Sequence, residues 1–124
     1  MGDPETEVVM PRLKNDLVEL FQAVAEQKLD TIKIETDERT VCTVVAVSGG
    51  YPGDYKKGYE IHGLQDINPA DSVVYHMGTI IKDGKVVTNG GRVFCVTSYG
   101  RSIYDAVAIS KEEIEKITFT GMEY

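Results

Sequence analysis

Apolar positions recur at helical spacing near the start of the chain, at strand-like spacing through its middle and at helical spacing again near its end. Residues 1–15 read as a short lead-in, because Pro11 prevents an undisturbed helix from running through it. Leu17, Leu20, Phe21 and Val24 then fall on one face of a helix predicted over 16–28. Asn15 is its expected N-cap, and Asp16 complements the positive end. From about 31 to 99, Val, Ile, Thr and Tyr dominate between recurring glycines, which predicts strands near 40–48, 59–64, 73–81, 85–88 and 92–99. Asp83-Gly84 between Ile80-Ile81 and Val86-Val87 predicts a tight hairpin. A second helix is expected over 103–116, with Ser102 as N-cap and Asp105 as its capping-box partner. Its buried side is read from Ile103, Val107, Ile114 and Ile117, and Phe119 opens a last strand. With no internal repeat or obvious linker, the pattern describes one compact α+β unit with a β-rich centre.

Composition narrows the possible roles. A chain of 124 residues with 42% hydrophobic and 27% charged residues is ordinary for a globular domain. No apolar run approaches the roughly 20 residues of a membrane-spanning helix. The acidic start Met1-Gly2-Asp3-Pro4-Glu5 lacks the regions of a secretory signal, so a cytoplasmic location is expected. Acidic residues outnumber basic ones 20 to 13, which opposes extended contact with nucleic acid or anionic lipid. A phosphate would have to be held in a local pocket. Cys42 and Cys95 sit in apolar runs without metal-ligand spacing and read as buried thiols. His62 and His76 are isolated in strand-like contexts and read as structural.

Two segments carry more chemistry than a connection requires. Residues 48–58, Ser-Gly-Gly-Tyr-Pro-Gly-Asp-Tyr-Lys-Lys-Gly, combine four glycines with two tyrosines and two lysines. Glycines let a backbone approach a ligand, and Lys56 or Lys57 can meet an anion, although the spacing is not that of a P-loop. The same segment also serves as a long hairpin connection with solvated lysines. Thr88-Asn89-Gly90-Gly91-Arg92 is either a simple turn or the mount for a guanidinium beside exposed backbone N–H groups, which suits bidentate phosphate recognition. Asp3 and Glu5, flanking Pro4, form a carboxylate pair that binds an amine or metal, or else a solvated helix start.

These segments also carry a resemblance. Gly2-Asp3-Pro4-Glu5-Thr6, the run from Pro11 to Leu20, Ser48 to Gly58, Lys82-Asp83-Gly84, Thr88 to Val93 and Gly121-Met122 follow the order seen in phosphoribosylamine-glycine ligases, members of the ATP-grasp superfamily. The resemblance implies an enzyme that joins glycine to 5-phosphoribosylamine through a glycyl phosphate, using ATP and Mg²⁺ or Mn²⁺. It implies that residues 1–29 are the tail of the ATP-grasp core and that 30–124 form a β-rich C-terminal domain resembling a rudimentary single-hybrid motif, or barrel-sandwich. Arg92 would hold the substrate 5-phosphate, with Asn89, Gly90 and Gly91 in the same turn and Tyr55, Lys56 and Lys57 on the facing loop. Asp3 and Glu5 would lie on the glycine or acceptor-amine side. Because the family's nucleotide-binding lobes and metal ligands lie upstream of the Gly-Asp-Pro-Glu motif, the resemblance implies no ATP, metal or catalytic group on this stretch. It also implies that the stretch is inactive alone and self-associates through its first helix. The competing expectation is a non-enzymatic α+β binding domain whose glycine-rich loops are only connections.

Overall fold

The computed structural model describes residues 2–124, which divide into two compact units, one ending at Arg39 and one running from Thr40 to Tyr124. The sequence places a boundary near residue 30. Backbone bonds, however, tie 33–37 to 12–15: Lys14 N–H donates to Glu35 O at 2.9 Å, Asp37 N–H donates to Arg12 O at 2.7 Å, and Leu13 bridges Thr36.

The first unit holds a single helical turn, α1 (Thr6–Val9), and the helix α2 (Leu17–Ala25). The cap of α2 is Asp16 rather than Asn15. The Asp16 carboxylate accepts the N–H groups of Val18 at 2.8 Å and Glu19 at 3.3 Å. Asn15 instead crosslinks the unit, donating to Lys33 O at 3.0 Å and accepting from Glu35 N–H at 2.6 Å. The helix stops short of the expected residue 28 because Gln27 turns left-handed, with φ 56°. The N–H groups of Gln27 and Lys28 then fold back onto Val24 O and Ala23 O, which satisfies two of the end carbonyls. Of the face read as apolar, Leu17 and Leu20 are half-buried, whereas Phe21 and Val24 are exposed, and Val18 is exposed beside them.

The second unit is an antiparallel α+β domain. Its main sheet has the order β2 (Ser72–His76), β5 (Arg92–Gly100), β1 (Thr40–Ser48), β6 (Met122–Glu123), and β3 (Thr79–Lys82) with β4 (Lys85–Thr88) forms a separate hairpin. Asp83 and Gly84 close that hairpin with φ 51° and 76°, the double positive φ of a type I′ turn. The single strand expected over 73–81 is two, broken at Met77-Gly78. Both of those N–H groups donate to Val93 O, at 3.0 and 2.9 Å. The stretch 59–64 is not a ladder strand. It makes isolated bridges, Glu60 to Val87 and His62 to Thr118. Phe119 does not open a strand but enters the core, with β6 starting at Met122.

Helix α3 (Ile103–Ile114) starts at Ser102, whose hydroxyl accepts the Asp105 N–H at 3.2 Å. Its buried stripe is Ala106, Ser110, Glu113 and Ile114, while Ile103 is exposed and Val107 only half-buried. Small residues win because α3 lies close on the sheet: the Ser110 hydroxyl donates to Cys42 O on β1 at 3.0 Å. Ala46, Ile61, Val93, Phe94, Val96, Ile114, Ile117 and Phe119 form the core, in which the Phe94 and Phe119 rings meet edge to face at 6.1 Å. Cys95 is buried and Cys42 half-buried, and neither is in a disulfide. No helix among the described residues is long and apolar enough to cross a membrane.

Among the described residues Glu113 is the buried charged side chain, only 5% exposed. Its carboxylate accepts from Lys116 Nζ at 2.7 Å and from the Asn68 N–H at 3.0 Å, which pins the 64–71 loop to α3. Burial pushes its pKa up, but the Lys116 and Asn68 hydrogen bonds outweigh burial and leave it below its ordinary 4.5. The stabilisation is therefore present above the unfolded value and lost as pH falls through the folded one. Glu113→Ala is expected to lower the unfolding free energy at neutral pH by about 1.5–3 kcal/mol, the worth of a charged hydrogen bond. Glu113→Gln is expected to flatten the acid limb of stability against pH. Urea titrations at neutral pH and at about pH 3 measure both, and a Glu113→Ala protein as stable as its parent at neutral pH rejects the role.

Candidate functional site

The site is built where β1 ends and β5 begins. The two strands pair antiparallel from Thr40 opposite Gly100 to Ala46 opposite Phe94, and then the register shifts so that Val47 faces Arg92. Val93 is thus an extra residue on β5. Such a bulge bends the strand and re-aims the neighbouring side chain, and here Arg92 is exposed between the buried Gly91 and Val93.

The turn 89–92 is gripped from several sides. Beneath it lies Gly78, where a Cβ would come within 2.4 Å of Arg92 O and 2.7 Å of Gly90 Cα, and Gly78 O accepts the Asn89 N–H at 2.7 Å. Beside it lies Ser48, the buried last residue of β1. Its N–H donates to Gly91 O at 2.7 Å and its hydroxyl to Gly90 O at 2.8 Å. Above Gly91 lies the Tyr51 ring, so close that a Cβ on Gly91 would fall 2.1 Å from Tyr51 Cδ2. The far end of the 49–58 loop is fastened to the end of β4, just ahead of the turn, with Gly58 N–H donating to Thr88 O at 2.7 Å. The two glycine-rich segments, 42 residues apart at the Ser48–Gly90 bond, therefore meet in space.

Next to this junction is a cleft of about 350 Å³ lined by Ser48, Gly49, Asp54, Tyr55, Lys56, Tyr59, Thr120 and Gly121. Its volume suits a small ligand. Tyr55 is half-buried and Lys56 exposed at this lining. Lys57 stands over the Tyr55 ring, 5.9 Å from its centre, within cation–π range. Tyr51 and Tyr55 meet edge to face at 6.1 Å, so the aromatic that covers Gly91 also braces the one that lines the cleft. Sequence reasoning passed over Ser48, Tyr51, Asp54, Tyr59, Thr120 and Gly121 as individual contributors. Thr120 and Gly121 reach the cleft because β6 pairs with the end of β1, Ser48 opposite Met122, and no local signal announces a pairing between residues so far apart.

Asn89 is exposed at the turn, and Gly90 is half-buried. Asp3 and Glu5 belong to the first unit, where Glu5 Oε2 accepts the Gly2 N–H at 3.2 Å just ahead of α1. His76 Nδ1 bonds Thr79 Oγ1 at 2.9 Å. His62 Nδ1 lies 3.8 Å from Glu60 Oε1. No three His, Cys, Asp or Glu side chains among the described residues converge to hold a metal ion.

Comparison with known proteins adds the context. A phosphoribosylamine–glycine ligase from Caldanaerobacter subterraneus subsp. tengcongensis is 49% identical over 123 residues, 99% of this chain and 29% of that protein. The ligase of the same name from Escherichia coli K12 is 52% identical over 106 residues, 85% of this chain and 25% of the relative. The crystal structure of phosphoribosylamine–glycine ligase from Thermotoga maritima matches all of this chain and 30% of that one, with a TM-score of 0.74 at 32% identity. The chain thus spans between a quarter and a third of the length of these relatives. The family described as phosphoribosylglycinamide synthetase, C domain, matches residues 41–124, and with that match over the unit that carries the turn and the cleft, the chain belongs to this family.

Proposed function

We propose that this chain forms the substrate-phosphate side of an ATP-dependent ligase that joins glycine to 5-phosphoribosylamine, giving glycinamide ribonucleotide for purine biosynthesis in the cytoplasm. The observation that carries the reading is that Ser48, which lines the cleft together with Tyr55 and Lys56, also bonds Gly90 and Gly91 in the turn that leads into Arg92. A ribose 5-phosphate is a dianion, and a protein of net charge −7 offers it no general attraction. It needs a fixed cationic fork, and a guanidinium at the start of a paired strand supplies one. In this assignment Arg92 takes two phosphate oxygens. Asn89, Gly90 and Gly91 leave room at the turn, and Lys56 or Lys57 approaches from the facing loop.

ATP, Mg²⁺ or Mn²⁺ and the chemical step belong to the remainder of the ligase, with the first unit as the tail of its ATP-grasp core. Asp3 and Glu5 are assigned to the glycine or acceptor-amine side. The second unit is assigned to the barrel-sandwich-like C-terminal domains. The apolar face of α2, where Val18, Phe21 and Val24 are 63%, 60% and 56% exposed, is assigned to packing against the remainder of the polypeptide.

Two outcomes test the assignment. In the complete ligase, Arg92→Ala is expected to raise the KM for phosphoribosylamine about ten- to a hundredfold, the cost of a lost charged hydrogen bond, with the KM for ATP nearly unchanged. Arg92→Lys keeps the charge but loses the fork, and should fall between the two. An unaltered KM for phosphoribosylamine rejects Arg92 as the phosphate ligand. The 124-residue chain on its own is expected to self-associate through α2. Sedimentation should show a concentration-dependent dimer that Phe21→Glu abolishes, and a strict monomer at high concentration counts against the packing assignment.

A further inference from the structure

Resting on the phosphate assignment above, we propose that Tyr51 is a positioning residue for that site: its ring, seated on Gly91, sets the distance between the turn that carries Arg92 and the loop that carries Tyr55 and Lys56. Neither segment could hold one phosphate group jointly unless that distance were fixed. Ser48 fixes the turn at its backbone, through the bonds to Gly90 O and Gly91 O. Those bonds, however, say nothing about where the loop goes after residue 49. The loop turns back at Tyr51, whose N–H donates to Ser48 O at 3.0 Å, and Gly58 N–H fastens its far end to Thr88 O. Between these two anchors, the ring of Tyr51 is what meets the turn, with Cδ2, Cε2 and Cγ at 2.1, 2.5 and 3.1 Å from the position of a Cβ on Gly91. The same ring meets Tyr55 edge to face, 6.1 Å between centres, and Lys57 stands over the Tyr55 ring. A chain of contacts thus runs from Gly91 through Tyr51 to the cleft.

Gly91 supports this reading by what it lacks. It is not at a positive φ, the conformation found at Gly50, Gly58, Gly63, Gly84 and Gly121, so its backbone accepts an L residue. What excludes a side chain there is the Tyr51 ring. The glycine provides space for the aromatic, and the pair forms a contact in which each residue dictates the size of the other. Tyr51 is 38% exposed, which is unusual seating for an aromatic whose only task is to fill the core.

The test uses the complete ligase with phosphoribosylamine generated from ribose 5-phosphate and ammonia. Tyr51→Ala is expected to raise the KM for phosphoribosylamine by roughly tenfold or more, because a misplaced binding group loses its geometry, while the KM for ATP stays unchanged. Tyr51→Phe keeps the ring and is expected to restore the parental KM. Gly91→Ala alone should raise the same KM by driving the ring away, whereas Gly91→Ala combined with Tyr51→Ala should cost clearly less than the two single effects multiplied, the signature of a direct contact. A parental KM in Tyr51→Ala overturns the inference. So does a loss shared equally by both substrates, or strict multiplicativity in the double variant. Arg92→Ala is measured in parallel: an unchanged KM there sinks the phosphate assignment itself, whereas a raised KM there with a parental Tyr51→Ala sinks only the role of Tyr51.

Discussion

Antiparallel pairing of β1 with β5 is the constraint on which the rest of the second unit depends. Seven residue pairs in continuous register, from Thr40–Gly100 to Ala46–Phe94, place the last residues of β1 beside the first residues of β5. The segment between them is long, and bringing its ends together costs entropy that grows only slowly with length. The ladder and the apolar residues it buries offset that cost. Once the register is set, the loop leaving β1 and the turn entering β5 emerge at one end of the sheet. Ser48 then needs no further ordering to reach both Gly90 and Gly91. β6 adds to the same end by pairing with Val47 and Ser48, which brings Thr120 and Gly121 to the cleft.

The regular ladder alone would not present Arg92. Strict alternation makes every second residue of β5 face the same side, but β5 is buried at nearly every position from Val93 to Ser98, covered by α3 and the core on one side. A cation continuing that pattern would be driven toward an interior that charges it heavily for desolvation. The extra residue at Val93 breaks the alternation just where the strand begins, and its carbonyl is satisfied by Met77 and Gly78 across the gap. The bulge leaves Arg92 in solvent while the backbone on both sides of it is held. Gly78 permits this, since any side chain there would collide with Arg92 O and Gly90 Cα.

Much of this was readable from residues alone, and the failures have physical causes. The strands 40–48, 85–88 and 92–99 and the Asp83-Gly84 turn followed from β-branched runs and a dipeptide that tolerates positive φ, both local properties. The reading of 73–81 as one strand failed because Gly78 is required by packing against residues 90–92, which composition does not report. The buried side read for α3 holds at Ile114 and Ile117 but fails at Ile103, because size rather than hydrophobicity decides the earlier turns: Ala106 and Ser110 fit against β1 and β5, whereas Ile103 is left outside. Asn15 and Asp16 are equally good caps in isolation, and only the bonds of Asn15 to Lys33 and Glu35 divide the roles. For the site, the two glycine-rich segments announced themselves by excess, with more Gly, Tyr and Lys than a connection needs. Ser48 and Tyr51 stood within the same segment without being singled out, because what makes them matter is the turn forty residues away.

That division suggests why the cations of the site sit on such different mounts. Lys56 and Lys57 lie on a loop fastened at its two ends, and an ammonium on a flexible stem tolerates an imprecise mount because it acts as a point charge. A guanidinium does not, since its advantage over lysine is a planar fork whose two hydrogen bonds form only in one orientation. Arg92 accordingly has the stiffer support, a strand start with Ser48, Gly78 and Tyr51 packed about the turn that leads into it. In a chain that carries seven more negative than positive charges, long-range attraction cannot compensate for a poorly placed ligand. Rigidity at residues 89–92 therefore has to supply what the overall field withholds, and the glycines that look like flexibility in the sequence act here as clearance for the groups that hold the turn still.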